Sequence, residues 1–298
     1  MEELIYRDRR GTRCSKWNEL GRKFSRDDLM GLWVADMDFA TAACVREALR
    51  RQVDFGVFGY DIPSEGYYRA FMNWEKTSHG YEVQREWLRY SPGVVAAFNW
   101  FVQLLTQPGD AVLIQTPVYY PFMFAATDHG RKLIKNELRN TDGVYSVDFE
   151  DFERKIVEEQ VKIFLLCSPH NPVGRVWQME ELRQMLDICR AHGVYVIADE
   201  IHHDFIHGEN RHIPAATVGV YDDMLVTLTS PSKTFNLAGL KNSVIIIPAP
   251  RLRCAYDDYT KKLHVDTGNS VGFVAAEAAY DGGRPWLESV LQPVWGKY

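Results

Sequence analysis

Five short, largely apolar runs lie at residues 111–115, 162–167, 194–198, 224–229 and 243–247, and the third is continuously apolar. A strand with one wet face alternates, whereas a continuous run suits a strand covered on both faces. Between the second and third runs the period changes. Leu182, Met185, Leu186 and Cys189 share one helical face, Glu180 and Glu181 lie in the first turn, and Arg190 and His192 lie in the last, with Gly193 after them. The spacing predicts a helix over 178–192, with acids at its positive end and bases at its negative end. Strand–helix–strand alternation then predicts an α/β fold, a mainly parallel sheet covered by helices on both faces. No internal repeat is visible. The first forty-odd residues are polar and aromatic with few regular signals.

Chemistry-bearing residues gather just past these runs. Lys233 follows the fourth, with Ser230 and Ser232 before it. A lysine at a strand end beside hydroxyls suits an imine with pyridoxal phosphate, although Ser-x-Ser-Lys also occurs in solvated loops. Asp199 ends the third run, where open α/β sheets bind ligands. A buried carboxylate needs a partner, and a pyridinium N–H is suitable; read alone, the residue is equally a helix cap. Asn171, in His170-Asn-Pro-Val-Gly174, follows the second run as a turn amide able to donate to the cofactor's 3′-oxygen, or as an ordinary Asx-turn. Gly93, Val94 and Val95 open an apolar helix whose free N–H groups suit a phosphate, or form a plain helix start. Tyr119 follows the first run and can stack on a ring, or serve the core.

Taken in order, these motifs resemble the fold-type I pyridoxal-phosphate enzymes, the aspartate aminotransferase superfamily, over nearly the whole chain. The resemblance implies Lys233 as the Schiff-base lysine, Asp199 as the pyridinium partner, Asn171 at the 3′-oxygen and Tyr119 on the ring. It implies phosphate contacts from Gly93, Val94, Val95 and Ser230, with Tyr60 of Phe58-Gly-Tyr60 reaching the phosphate of the neighbouring subunit in a homodimer. Arg9-Arg-Gly-Thr12, Ser15-Lys-Trp17, Trp33-Val-Ala-Asp36-Met-Asp38-Phe39, Thr116-Pro-Val-Tyr-Tyr-Pro-Phe122 and Asp199-Glu-Ile-His202 are similar to the cystathionine β-lyase, or C–S lyase, subgroup. That similarity implies α,β-elimination of an S-substituted amino acid, with Ala35 and Asp36 at the substrate. The alternatives are an aminotransferase, or a protein that binds the cofactor without turnover. Two positions depart from the wider pattern. His202 stands where many aminotransferases carry a tyrosine. Lys241 stands where an arginine usually holds the phosphate, and lysine lacks the bidentate fork.

Composition excludes several other classes. Of 298 residues, 46% are apolar, so a substantial core is expected. The net charge of −6, with acids and bases interspersed, excludes nucleic acid as the expected partner. No run predicts a membrane span, and Met1-Glu-Glu-Leu predicts no signal peptide. Cys14, Cys44, Cys167, Cys189 and Cys254 are scattered, which predicts a reducing cytoplasm and no structural zinc. His202, His203 and His207 are the densest histidine group, and without a matching carboxylate pattern no metal is expected. The expected organisation is an N-terminal segment at 1–45 that helps form the substrate pocket, a large cofactor domain at 46–285, and the start of a small domain at 286–298. The resemblance implies a chain about a quarter short of full-length members, without the arginine that clamps the substrate carboxylate. Cofactor binding is therefore expected to outlast turnover.

Overall fold

The computed structural model describes residues 1–265 and 267–295, with side chains to residue 292. The last three residues of the expected 286–298 segment lie outside the described residues. In chain order the regular elements are α1 (Ser15–Asn18), α2 (Leu20–Phe24), α3 (Ala43–Phe55), α4 (Glu65–His79), β1 (Leu88–Ser91), α5 (Val94–Leu105), β2 (Ala111–Thr116), α6 (Pro121–Thr127), β3 (Lys132–Glu137), β4 (Arg139–Thr141) and β5 (Val144–Ser146). There follow α7 (Phe149–Glu158), β6 (Val161–Cys167), α8 (Met179–Ala191), β7 (Tyr195–Asp199), β8 (Leu225–Thr229), α9 (Pro231–Thr234), β9 (Ser243–Ile246), α10 (Pro250–Lys262), α11 (Ser270–Gly282) and α12 (Arg284–Trp295).

Seven strands form one sheet in the order β1-β9-β8-β7-β6-β2-β3, and β4 and β5 pair as a separate ribbon. The pairings from β8 through β7, β6 and β2 to β3 are all parallel. β9 runs antiparallel to both β8 and β1. Six strands therefore point one way and β9 alone points back. The five apolar runs are β2, β6, β7, β8 and β9, and the predicted helix is α8.

Period-two alternation sends each central strand into two cores. Ile163 and Leu165 of β6 pack with Val94, Phe98 and Phe122 on one face. Phe164 and Leu166 pack with Leu182, Met185 and Phe152 on the other. Both faces are dry, so the strands carry no polar face. α8 starts on a capping box: Gln178 and Glu181 satisfy each other's backbone N–H groups. A third core joins α3, α4 and α11 to Phe235 and the N-terminal Phe39, with Trp74 and Trp286 at its centre. α12 packs into this core through Trp286, Leu287 and Val290. Among the described residues no helix is long and apolar enough to cross a membrane.

Candidate active site at the carboxyl edge of the sheet

Because β1, β2, β6, β7 and β8 run together, the segments that follow them emerge along one edge. Those segments carry Gly93–Val95, Tyr119, Asn171, Asp199 with His202, and Ser230 with Lys233. The reversed β9 begins at this edge, Ser243 pairing with Ser91, and so brings Lys241 there as well. Such an edge is where open α/β sheets take ligands.

Lys233 lies in the one-turn α9 that leaves β8. Its Nζ donates to the Ala35 carbonyl at 2.9 Å. Burial lowers its pKa from the ordinary value, against the pull of Asp36 and Asp199. The amine is thus easier to hold neutral than a surface lysine. Asp199 is 5% exposed at the end of β7, and Oδ1 accepts from Ile201 N at 3.1 Å. Burial drives its carboxyl up to about 7, with Glu200 adding to the rise and Ile201 and Lys233 opposing it. A cation against this group would restore the charge. His202 follows, and burial lowers its imidazole to about 4, so it is neutral at physiological pH.

The Tyr119 loop and the Asn171 loop meet, Tyr119 N donating to Asn171 O at 3.0 Å. Tyr119 is 36% exposed and close enough to feel Asp199. Gly93 caps α5, and the Val94 and Val95 N–H groups fall in its first turn, where no intrahelical acceptor exists. Ser230 is committed within the chain: its hydroxyl contacts Asn242 O at 2.6 Å and accepts from Ser232 N at 3.1 Å. Ser232 is the more open hydroxyl. Lys241 is exposed, with its backbone in the left-handed region at φ 52°. Tyr60 projects wholly into solvent beside a cavity of about 330 Å³ that Gly268 and Ser270 help to line.

The N-terminal residues are part of this edge. Residues 35–41 form a strap held on one side by the Tyr6–Phe39 bridge and on the other by the Lys233 turn. Lys16 Nζ reaches Asp38 Oδ2 at 2.8 Å and Asp36 Oδ1 at 3.3 Å, and Arg9 reaches Asp36 Oδ2 at 2.9 Å. Asp36 therefore stands between these cations and Lys233.

Directly behind the edge lies a buried polar cluster that sequence order hid. Asp204 accepts from Trp74 Nε1 at 3.1 Å and Thr234 Oγ1 at 2.6 Å, with His79 Nε2 at 3.0 Å and His203 Nε2 at 3.2 Å. Burial opposes its charge, but the two imidazoles hold its carboxyl well below the usual range. His203 is raised: burial acts against its charge, and Asp204 outweighs it. Glu75 is pushed up to about 8 by burial, and its Oε1 is buried without a partner, 3.9 Å from His203 Nδ1. Glu75, His79 and His203 each offer a donor atom, all within 4.8 Å of one another. The His79 and His203 rings, however, stack at 4.3 Å and 23° with both Nε2 atoms turned to Asp204, so their lone pairs run side by side instead of converging on a cation. The histidine triplet seen in sequence thus separates: His203 enters the core, His202 stays at the site edge, and His207 is exposed. Glu75 and His79 lie on α4, over a hundred residues earlier, and only tertiary packing reveals them.

The donor set fits a phosphorylated pyridine aldehyde. It offers an amine of lowered pKa, a carboxylate in want of a cation, and a helix start beside hydroxyls and a lysine. A doubly covered α/β sheet bearing such a lysine defines the fold-type I class of lysine-dependent enzymes. This chain belongs to the family of class I and II aminotransferases, which it matches over residues 27–282. It is 41% identical to cystathionine β-lyase PatB of Bacillus subtilis over 285 residues, 95% of this chain and 74% of that protein. The PLP-bound putative aminotransferase of Clostridium difficile superposes with a TM-score of 0.93 at 38% identity, covering 98% of this chain and 75% of that one. Cystalysin of Treponema denticola, which contains pyridoxal 5′-phosphate, gives 0.93 at 34% identity over the same shares. The chain spans about three quarters of the length of each.

Proposed function

We infer that this chain is a pyridoxal-phosphate-dependent carbon–sulfur β-lyase, acting on cystathionine or a related S-substituted amino acid and yielding a thiol, pyruvate and ammonia. One observation carries the reading: a lysine amine of lowered pKa and a buried carboxylate share one strand edge, in a chain 41% identical to a cystathionine β-lyase. When bound, the cofactor supplies a ring that takes up the electron pair left at the substrate Cα.

The residues divide the remaining work. Asp199 pairs with the ring N–H, and that positive partner returns its carboxyl to the ionised form. Asn171 and the neutral His202 serve the 3′-oxygen, and Tyr119 covers the ring. Gly93, Val94, Val95 and Lys241 serve the phosphate, while Ser230, whose hydroxyl is taken by Asn242 O, holds the turn that carries Lys233. Lys233 would hold the cofactor through Nζ, and as a free amine its lone pair would take the Cα proton of the bound substrate. The thiolate leaves Cβ with the electron pair of the C–S bond, and water releases pyruvate and ammonia from the remaining three-carbon unit. Ala35 and Asp36 of the strap border the substrate. Residues 1–45 complete the pocket of a large domain at 46–285, and residues from 286 begin a smaller one. Two chains assemble as a homodimer in which Tyr60 serves the partner's phosphate. Five unpaired cysteines suit a reducing cytoplasm.

Borohydride reduction of the loaded chain should fix the cofactor on the peptide containing Lys233, and cystathionine alone, without a keto acid, should yield pyruvate. An adduct on Lys241 would overturn the assignment. Amino-group transfer that requires a keto acid would replace the lyase with an aminotransferase.

A further inference from the structure

The strap and the lysine turn are joined by an unusual number of contacts through one side chain. Asn236 lies three residues after Lys233, in the left-handed region at φ 59°. Its Oδ1 accepts from Met37 N at 3.0 Å. Its Nδ2 donates to Met37 O at 2.9 Å and Phe39 O at 3.0 Å. The amide reads the strap backbone as a neighbouring strand would, with every donor and acceptor matched. Thr41 Oγ1 adds a bond to Phe235 O at 2.7 Å. The same strap presents the Ala35 carbonyl to Lys233 Nζ at 2.9 Å.

We propose that Asn236 is a positioning residue that fixes the 35–39 strap over Lys233, so that the Ala35 carbonyl holds the lysine amine whenever it is not joined to the cofactor. The inference rests on Lys233 being the cofactor lysine. There are two such moments: before loading, and after the substrate amine has taken the lysine's place. In the second, Nζ gains the Cα proton and becomes an ammonium, and one of its N–H bonds points to the Ala35 oxygen. Holding the amine there keeps it beside the reacting carbons, where the ammonium can give its proton to the departing thiolate. The strap also sets Ala35 and Asp36 beside the amine. The charged and titratable groups around Nζ are Asp36 on the strap, Asp199 at the end of β7 and His202 beyond it. Burial is the largest influence among them and holds the amine pKa down.

The test compares wild type with Asn236→Gly and Asn236→Asp. Glycine keeps the left-handed backbone without strain and removes the amide. Aspartate keeps the acceptor for Met37 N but sets an oxygen against two carbonyls. Three readouts are taken after thermal melting shows both variants folded: trypsin cleavage at Arg7, Arg9, Arg10 and Arg13, the rate of pyridoxal phosphate attachment against pH followed by absorbance, and the KM–kcat split. The expected result is several-fold faster cleavage in both variants and an attachment curve displaced to higher pH, as a wetter lysine returns toward its ordinary pKa. The kcat should fall more than KM rises. Variants that fold, are cleaved at the wild-type rate and load with the wild-type pH curve would overturn the inference. A wild-type chain that forms no lysine adduct would instead overturn the proposed function, while the cleavage rates would still decide whether Asn236 fixes the strap.

Discussion

Glu75 shows how far a single side chain can be moved from its solution behaviour by its surroundings. Burial pushes its carboxyl up to about 8, while an unfolded chain would leave it near 4.5. The folded protein therefore holds a proton that unfolding releases, and stability falls as pH rises from about 4.5 to about 8. His203 acts in the same sense, since a raised imidazole loses its contribution as pH rises through its folded value. Glu75→Gln removes one titrating proton, which sets a slope of at most about 1.4 kcal/mol per pH unit. Urea unfolding between pH 6.5 and 8 should show wild type losing stability more steeply than the variant; equal slopes would mean that Glu75 is ionised in the fold. None of this was legible along the chain. Asp199, Asn171 and Lys233 stand out in sequence because Asp199 ends an apolar run and the other two follow such runs closely. Glu75 sits in an ordinary amphipathic helix, and nothing local says that its face meets His203. Asn236 escaped too, because its amide partners lie 197 and 199 residues away.

At the scale of elements, the apolar runs foretold the central strands because a parallel sheet leaves no wet face to interrupt them. α8 was foretold by period and by the charges at its ends. The direction of β9 was not, since an apolar run reads the same for either orientation. β1 and β3 escaped as well: β1 is four residues long, and β3, Lys132–Glu137, carries only two apolar residues, Leu133 and Ile134, at the sheet's outer edge. The α8 start couples fold to site. Glu181 accepts from Gln178 N at 2.8 Å and pairs with Arg175 at 2.5 Å, just past the Asn171 loop. Glu181→Ala should lower stability by about 1 kcal/mol through loss of the cap, whereas Glu181→Gln, which keeps an acceptor, should lose less. Urea titration of the two variants measures the difference. Equal losses would assign the effect to the Arg175 pair instead of the cap.

For the whole molecule, an exposed apolar stretch stands out. Val53, Phe55, Val57, Phe58, Tyr60 and Ile62 are all exposed within ten residues, and Tyr120 and Phe124 are exposed beside the site. Surfaces of this composition are commonly covered by another chain. With a second copy there, Tyr60→Phe and Lys233→Ala chains mixed together should form some sites carrying neither change, and cofactor affinity should recover above either parent. No recovery on mixing would make Tyr60 a residue of its own site.

The strap has a consequence for the birth of the protein. It joins Met37 to Asn236, which is made 199 residues later. At 5–20 residues per second the strap waits roughly 10–40 s at the ribosome for the turn that will hold it. Through that interval Met37 and Phe39 have no core to enter, because the third core needs Phe235 and α11. The strap docks only once the later-made lysine turn arrives, so until then its apolar side chains need cover from a chaperone.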